Sequence, residues 1–236
     1  MTFPRKSFWN VPLLLTIVGL SPLAASLRAD TVVRDEFGLK SRTAGATLHD
    51  SPVEKGNPTW EASANLIFGP KGTVVVKNSS AFVGRVNVLG TPKIITVEAD
   101  VFPVQNASEP GFMAMGVGRP KLGSPLWGGG IYVTVFSSGK YTCFYNPEPE
   151  DWTSKYAVSL QAGDTPEFIA NGKTRLKLQY NQTTRSYSVW LNGDQVVQDK
   201  ILDAGQTVSA EFAGFSGFRQ EEGKTVATKF VLTTSP

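Results

Sequence analysis

The sequence predicts an all-β protein in which two antiparallel sheets stack as a sandwich. Beyond residue 29, no segment of ten or more residues carries the i, i+3, i+4, i+7 apolar spacing of an amphipathic helix. Short runs of alternating apolar and polar residues recur instead, with Gly, Pro, Asn and Asp between them. Parallel strands need crossover connections that are usually helical, so strands without helices must pair antiparallel.

Residues 173–198 form the clearest element, and they predict a three-stranded meander. Leu176, Leu178 and Tyr180 alternate with polar residues, which places one side of the strand against a core. Asn192-Gly193 then predicts a type I′ hairpin turn, because both central residues of that turn need positive φ.

Strand signals recur along the rest of residues 30–236, which we interpret as one domain. Strands are expected in residues 31–33, 60–66, 73–76, 81–88, 94–102, 112–117, 131–136, 140–145, 168–171, 207–212, 214–218 and 225–233. The Gly- and Pro-rich residues 118–130 and 146–155 are expected to be loops. In residues 94–102 the alternation places Glu98 and Asp100 on the face opposite Val97 and Ala99.

Residues 1–29 have the features of a secretory signal peptide. Arg5 and Lys6 precede an apolar run over residues 11–20, and small residues follow, so that cleavage is expected after Ser26 or Ala29. The apolar run is shorter than the ~20 residues of a membrane span. We therefore expect a secreted or periplasmic protein that keeps no membrane segment after cleavage.

The charge balance argues against nucleic acid as a partner. The chain has 23 Lys+Arg and 20 Asp+Glu, and residues 1–29 hold three of the basic residues and no acidic one. The remaining part is therefore neutral, without the basic footprint of nucleic-acid binding or a polybasic membrane patch. Cys143 is the only cysteine, which excludes an intrachain disulfide, and it is expected to be a small buried core residue.

The order of these motifs resembles concanavalin A-like lectin/glucanase domains, which are exported jelly rolls similar to laminin-G domains. The resemblance rests on Asp35-x-Phe37, on Gly56-Asn57-Pro58-Thr59-Trp60-Glu61-Ala62, on residues 95–101, on the 176–193 meander and on the closing strand at 225–232. It implies a concanavalin A-like sandwich over residues 30–236. One fold of this kind hosts many activities, so the resemblance leaves function open.

Glycoside hydrolysis is one function that the resemblance implies. Some glucanases of this fold carry Glu-x-Asp-x-Glu on one strand, which places the nucleophile and the general acid on one face. Glu98 and Asp100 match the first two acids, but the third position is Phe102, which cannot protonate a leaving group. If the protein is an enzyme, Glu98 and Asp100 are the expected catalytic residues; without the third acid, catalysis is not the preferred interpretation.

Non-catalytic recognition of carbohydrate or another extracellular polymer is the preferred interpretation. Trp127 and Trp152 lie in the two expected loops, where an indole exposed to solvent could pack on a sugar ring. Trp190 alternates out of phase with its apolar neighbours and so points away from the core. Together with Tyr132 and Glu98, these residues are the candidate ligand contacts. The alternative for each tryptophan is packing at an edge of the sandwich, and a structural or adhesion module without a small ligand is the third possible function.

The sequence offers little for metal or nucleophilic chemistry. His49 is the only histidine, and it lies in a polar stretch where a surface position is expected. One His and one Cys do not make an ordinary transition-metal site. No cofactor is therefore expected, although calcium remains open through Asp35 or Asp203 with backbone carbonyls; no Asp-x-Asp-x-Asp-Gly loop is present.

Overall fold

The computed structural model describes residues 30–38, 42–104, 110–148, 153 and 155–236. In these ranges the chain forms fifteen strands and no helix, which confirms the all-β prediction. Accordingly, no helix in the described ranges has the length and apolarity to cross a membrane. The strands are β1 (Asp30–Asp35), β2 (Glu61–Ala62), β3 (Leu66–Gly69), β4 (Thr73–Val76), β5 (Phe82–Asn87), β6 (Ile94–Val101), β7 (Phe112–Pro120), β8 (Trp127–Phe136), β9 (Lys140–Asn146), β10 (Val158–Asp164), β11 (Thr174–Asn181), β12 (Ser186–Leu191), β13 (Asp194–Ile201), β14 (Phe212–Phe218) and β15 (Thr225–Ser235).

The strands form two antiparallel sheets, as the sequence predicts. The eight-stranded sheet has the order β13-β12-β11-β6-β15-β4-β3, and β1 also pairs with β15. The seven-stranded sheet has the order β10-β9-β8-β7-β14-β5-β2. Strands that are distant in sequence lie side by side in both sheets, as in a jelly roll, so the concanavalin A-like fold is confirmed.

The hydrophobic core lies between the inward faces of the two sheets. In β6, Ile95, Val97, Ala99 and Val101 point into it, so the predicted alternation of this strand is correct. From the facing sheet, the inward side chains of β7, β8 and β9 fill the other half of the core, and they include Cys143, which is buried as predicted.

The 173–198 meander is present as β11, β12 and β13, with uninterrupted register between β11 and β12. Asn192 and Gly193 have φ of 54° and 104°, as the predicted turn requires. Several strand predictions were wrong. Residues 168–171 and 207–211 are not strands, and a turn at residues 63–65 divides the strand expected at 60–66 into β2 and β3. β10 was missed, because it is an edge strand with mostly exposed residues and little apolar alternation.

Candidate functional site

The predicted site residues lie on opposite sides of the sandwich. Glu98, Asp100 and Trp190 belong to the outer face of the eight-stranded sheet, whereas Trp127 and Tyr132 belong to the outer face of the seven-stranded sheet. The core separates the two groups. They therefore cannot form one binding site.

On the eight-stranded sheet, the two acids pair with cations. Glu98 lies 3.7 Å from Lys177 Nζ, and Asp100 accepts a hydrogen bond from Arg175 Nε at 3.1 Å. Lys177 Nζ also lies 4.8 Å from the ring centre of Trp190. Glu98 and Trp190 thus share Lys177, in a strip of polar side chains across β6, β11 and β12.

Trp127 is not in a loop and does not face solvent, contrary to the expectation. It is the first residue of β8, its side chain is fully buried, and its indole N–H donates to Ser216 Oγ at 3.0 Å. The indole lies over Gly116 of β7, where an added Cβ would come within 2.9 Å of the ring. Residues 118–120 also belong to β7, so the loop is limited to residues 121–126.

Tyr132 belongs to the same covered surface. Its ring stacks on Phe144 with centroids 5.2 Å apart, and only 1% of the residue is exposed. Trp127 and Tyr132 pack with Val83 and Ala114 in a small second core on the outer face of the seven-stranded sheet. In this conformation neither aromatic ring is open to a ligand. Trp152, the remaining candidate, lies outside the described residues.

A cleft of about 940 Å³ opens beside β2, the edge strand of the seven-stranded sheet. Its lining comes from four segments, within residues 47–50, 62–65, 77–81 and 122–123. These segments include the β2–β3, β4–β5 and β7–β8 connections, which meet at this end of the sandwich. We refer to it as the His49 cleft.

His49 is fixed in one wall of the cleft by its own ring. Its Nδ1 accepts a hydrogen bond from the backbone N–H of Ala62 at 3.1 Å. A neutral imidazole whose Nδ1 accepts carries its proton on Nε2, so Nε2 is a donor. The Nε2 atom lies 3.6 Å from the exposed carboxylate of Asp50, and the His49 side chain is 40% exposed. This wall therefore offers a donor and an acceptor side by side.

A second part of the cleft lining is held by a network of amides. Asn65 Nδ2 donates to Asn78 Oδ1 at 3.2 Å, and the same oxygen accepts from the Ser80 backbone N–H at 3.1 Å. These bonds leave Asn65 Oδ1 as an acceptor and Asn78 Nδ2 as a donor for other groups. Lys77, which is exposed, adds an ammonium group to this wall.

Ser63 joins the floor of the cleft to the third wall. Its hydroxyl accepts hydrogen bonds from the backbone N–H groups of Val83 at 2.9 Å and Gly123 at 3.0 Å. This pair of bonds fixes the 121–126 loop against the β2–β3 turn, and brings Leu122 to the rim. The lining that remains is small: Ala62, Ala64 and Ala81 are apolar, and Thr47 adds a hydroxyl group.

Sequence reasoning missed this cleft. His49 was expected at the surface, and its half-buried position agrees only in part. The sequence analysis assigned no site role to Asn65, Lys77, Asn78 or Leu122. The residues come from four distant segments, and only the tertiary fold brings them together.

The described residues contain no group of three or more His, Cys, Asp and Glu side chains placed to hold a metal ion. For Asp35, the calcium hypothesis conflicts with its hydrogen bonds. Both of its carboxylate oxygens accept bonds from Arg42, and one of them also accepts from the Trp60 indole.

Comparison with known proteins gives the fold class. The sequence matches no family model and no curated protein. Among solved structures, a Bacillus subtilis protein of unknown function with a galectin-like fold superposes with a TM-score of 0.57 at 12% identity, covering 88% of this chain and 100% of that one. The metal-free carbohydrate recognition domain of Emp46p gives 0.52 at 12% identity, covering 73% and 87%.

Arcelin-5, a lectin-like defence protein from Phaseolus vulgaris, gives a TM-score of 0.51 at 9% identity, covering 75% of this chain and 92% of that one. At such low identity these likenesses concern the fold alone. They show that the chain shares the antiparallel jelly-roll sandwich fold of these structures.

Proposed function

We propose that this protein is an exported, non-catalytic module that binds carbohydrate in the His49 cleft. The observation that carries the proposal is the combination, in one open cleft, of small apolar side chains with hydrogen-bond donors and acceptors from several segments. Sugars present apolar C–H faces and a ring of hydroxyl groups, and a site with both kinds of contact suits them. The likeness to the Emp46p carbohydrate recognition domain supports the proposal.

Hydrogen bonds hold the polar side chains of the cleft in place, which favours binding. His49, Asn65, Asn78 and Ser63 each form at least one hydrogen bond to a neighbouring segment. A preorganised site loses less conformational entropy on binding than a mobile one. A saccharide can therefore bind here with few direct contacts.

A steric plug tests the site without removing any hydrogen bond of the walls. Ala64 is an exposed turn residue in the cleft lining, so Ala64→Trp fills the cleft and should be compatible with folding. Ala204→Trp, at an exposed turn outside the cleft, is the matched control. Binding is measured on a glycan array and then by titration calorimetry with the best oligosaccharide.

We expect the wild type and Ala204→Trp to bind equally, and Ala64→Trp to lose more than about tenfold in affinity, which corresponds to about 1.4 kcal/mol. Equal binding by all three proteins would remove the cleft from the proposal. Absence of binding to every glycan in the wild type would overturn carbohydrate recognition itself.

Export is tested separately, by sequencing the N-terminus of the protein recovered from its native host. The mature chain is expected to begin at Leu27 or Asp30, after the two small-residue cleavage positions. A chain that retains residues 1–29 in the cytoplasm would contradict this part of the proposal.

A further inference from the structure

We infer that the His49 cleft selects acidic saccharides, whose anionic group lies against Lys77. The inference rests on the proposed function, because it specifies the ligand class of the same site. It starts from the charged residues of the cleft lining: Lys77 is the cation and Asp50 is the anion, and they belong to different segments.

Lys77 is the one Lys or Arg side chain among the described residues that line the cleft. Many other cations of the described chain have an acidic partner, such as Arg85 with Glu61 at 2.6 Å and Arg119 with Glu211 at 3.1 Å. Lys77 forms no ion pair within the described residues. Its ammonium is therefore available to an anionic group of a ligand.

The groups around Lys77 strengthen an anion site. The amide of Asn78 follows it in sequence, and because Asn78 Oδ1 is held by Asn65 and Ser80, its Nδ2 is the end left for a ligand. An ammonium and an amide N–H₂ on the same wall are both donors, and a carboxylate accepts two or more such bonds. This wall thus matches the carboxylate of a uronic acid.

Asp50 fixes the orientation of the ligand. Its carboxylate lies on the other wall and its side chain is 83% exposed, so it repels an anion and accepts bonds from hydroxyl groups. The Nε2–H of His49 beside it donates to a hydroxyl oxygen. An acidic sugar would consequently place its carboxylate toward residues 77–78 and its hydroxyl groups toward residues 49–50.

The experiment compares oligosaccharides that differ only in the carboxylate. Tetramers of galacturonic, glucuronic and mannuronic acid are each titrated beside their carboxyl-reduced, neutral counterparts. The proteins are the wild type, Lys77→Gln and Asp50→Asn, with Lys93→Gln as the control because Lys93 is exposed and lies outside the cleft.

We expect at least one acidic tetramer to bind about fivefold more tightly than its neutral counterpart, the size of an exposed charge pair. Lys77→Gln should abolish this preference, because it should weaken binding of the acidic tetramer several-fold more than binding of the neutral one, and Asp50→Asn should increase the preference. The preference should also decrease as salt is raised from 50 to 300 mM, because salt screens exposed charges.

Two results overturn the inference while the proposed function stands: equal affinity for acidic and neutral tetramers, or an acidic preference that survives Lys77→Gln. If no saccharide binds the wild type at all, the proposed function itself fails. The glycan array separates failure of the acidic preference from failure of carbohydrate binding, because it also includes neutral sugars, which carry no anionic group for Lys77.

Discussion

Asp35 and Trp60, twenty-five positions apart, are joined by a hydrogen bond of 2.8 Å from the indole N–H to the carboxylate in the core. The same carboxylate accepts bonds from the backbone N–H of Phe37 and from both terminal nitrogens of Arg42. Asp35 is completely buried. The acidic-x-Phe and Trp motifs that suggest the fold from sequence are thus parts of one hydrogen-bond network.

Asp35→Asn should destabilise the protein strongly. The change removes the closer of two anionic partners from the Arg42 guanidinium, whose side chain is only 6% exposed, and leaves it only Glu54 at 3.7 Å. Breaking a buried pair in this way typically costs about 3–5 kcal/mol. Urea denaturation measures the change in the free energy of unfolding.

Glu36→Gln is the control for this prediction, because Glu36 pairs with Arg34 at the surface, where each side chain is about half exposed. The two substitutions should differ in their effect on the free energy of unfolding, because solvent screens the exposed Glu36–Arg34 pair but not the buried Asp35–Arg42 pair. No measurable change is expected for Glu36→Gln. A loss for Asp35→Asn as small as that for Glu36→Gln would show that the buried network does not stabilise the fold.

Gly116→Ala should destabilise the small core on the seven-stranded sheet. A methyl group there would lie 2.7 Å from Tyr132 Cβ, 2.9 Å from the Ile131 carbonyl oxygen and 2.9 Å from the Trp127 ring. Overpacking of this kind costs about 1–3 kcal/mol of the free energy of unfolding. Displacement of the Trp127 ring by the added methyl group should also change the tryptophan fluorescence of the native protein. Gly38→Ala is the matched control, since its nearest neighbour atom would be 3.7 Å away.

Two buried tyrosines should respond to removal of the hydroxyl in opposite directions. Within the described residues, the Tyr187 hydroxyl has no hydrogen-bond partner, whereas that of Tyr145 donates to the Thr207 carbonyl and accepts from its N–H, both at 3.0 Å. Tyr187→Phe should therefore stabilise the protein by up to about 1 kcal/mol, and Tyr145→Phe should destabilise it by about 1–2 kcal/mol. A destabilising Tyr187→Phe in thermal and urea unfolding would contradict the structure around this hydroxyl.

Stability should decrease in alkaline solution because of groups that are buried in their neutral form. Burial raises the pKa of Cys143 to about 12, and it also raises the pKa of Tyr141, Tyr145, Tyr180 and Tyr187. In the unfolded chain a thiol ionises near pH ~8.5 and a phenol near pH ~10. The unfolded state thus releases protons first, so the stabilising contribution is complete below about pH 8.5 and is lost as the pH rises toward 12.

Unfolding free energies at pH 7, 9, 10 and 11 measure this loss, and Cys143→Ala should make the decline between pH 9 and 11 shallower. The same burial predicts that iodoacetamide does not label Cys143 in the native protein at pH 8 but labels it in urea. Rapid labelling of the native thiol, or stability that increases above pH 10, would contradict the prediction.

The sequence predicted the sheets better than the site, for reasons that particular residues make clear. The alternation in β6 and β11 and the Asn192-Gly193 turn are local patterns, and each determines which face is buried. β10 has no such pattern because it is an exposed edge strand.

Trp127 shows why a glycine-rich stretch can mislead. Residues 128–130 suggest a loop, but a Cβ on Gly130 would lie 2.5 Å from the Val117 carbonyl oxygen and 3.1 Å from that of Trp127. Glycine is needed there because two backbones approach closely inside a sheet. A glycine-rich loop and a close approach of two strands look the same in the sequence. The His49 cleft depends on hydrogen bonds between segments that no local pattern connects.

The position of Trp127 has a consequence for how such a scaffold can change. Because the Trp127 indole packs on the outer face of the seven-stranded sheet, the small core around it offers no open surface to a ligand, and the cleft lies instead where connections between strands meet. Those connections can vary in length and composition while both packed layers stay intact. The fold and the binding specificity thus depend on different sets of residues, so substitutions in the connections can change the specificity without destabilising the fold.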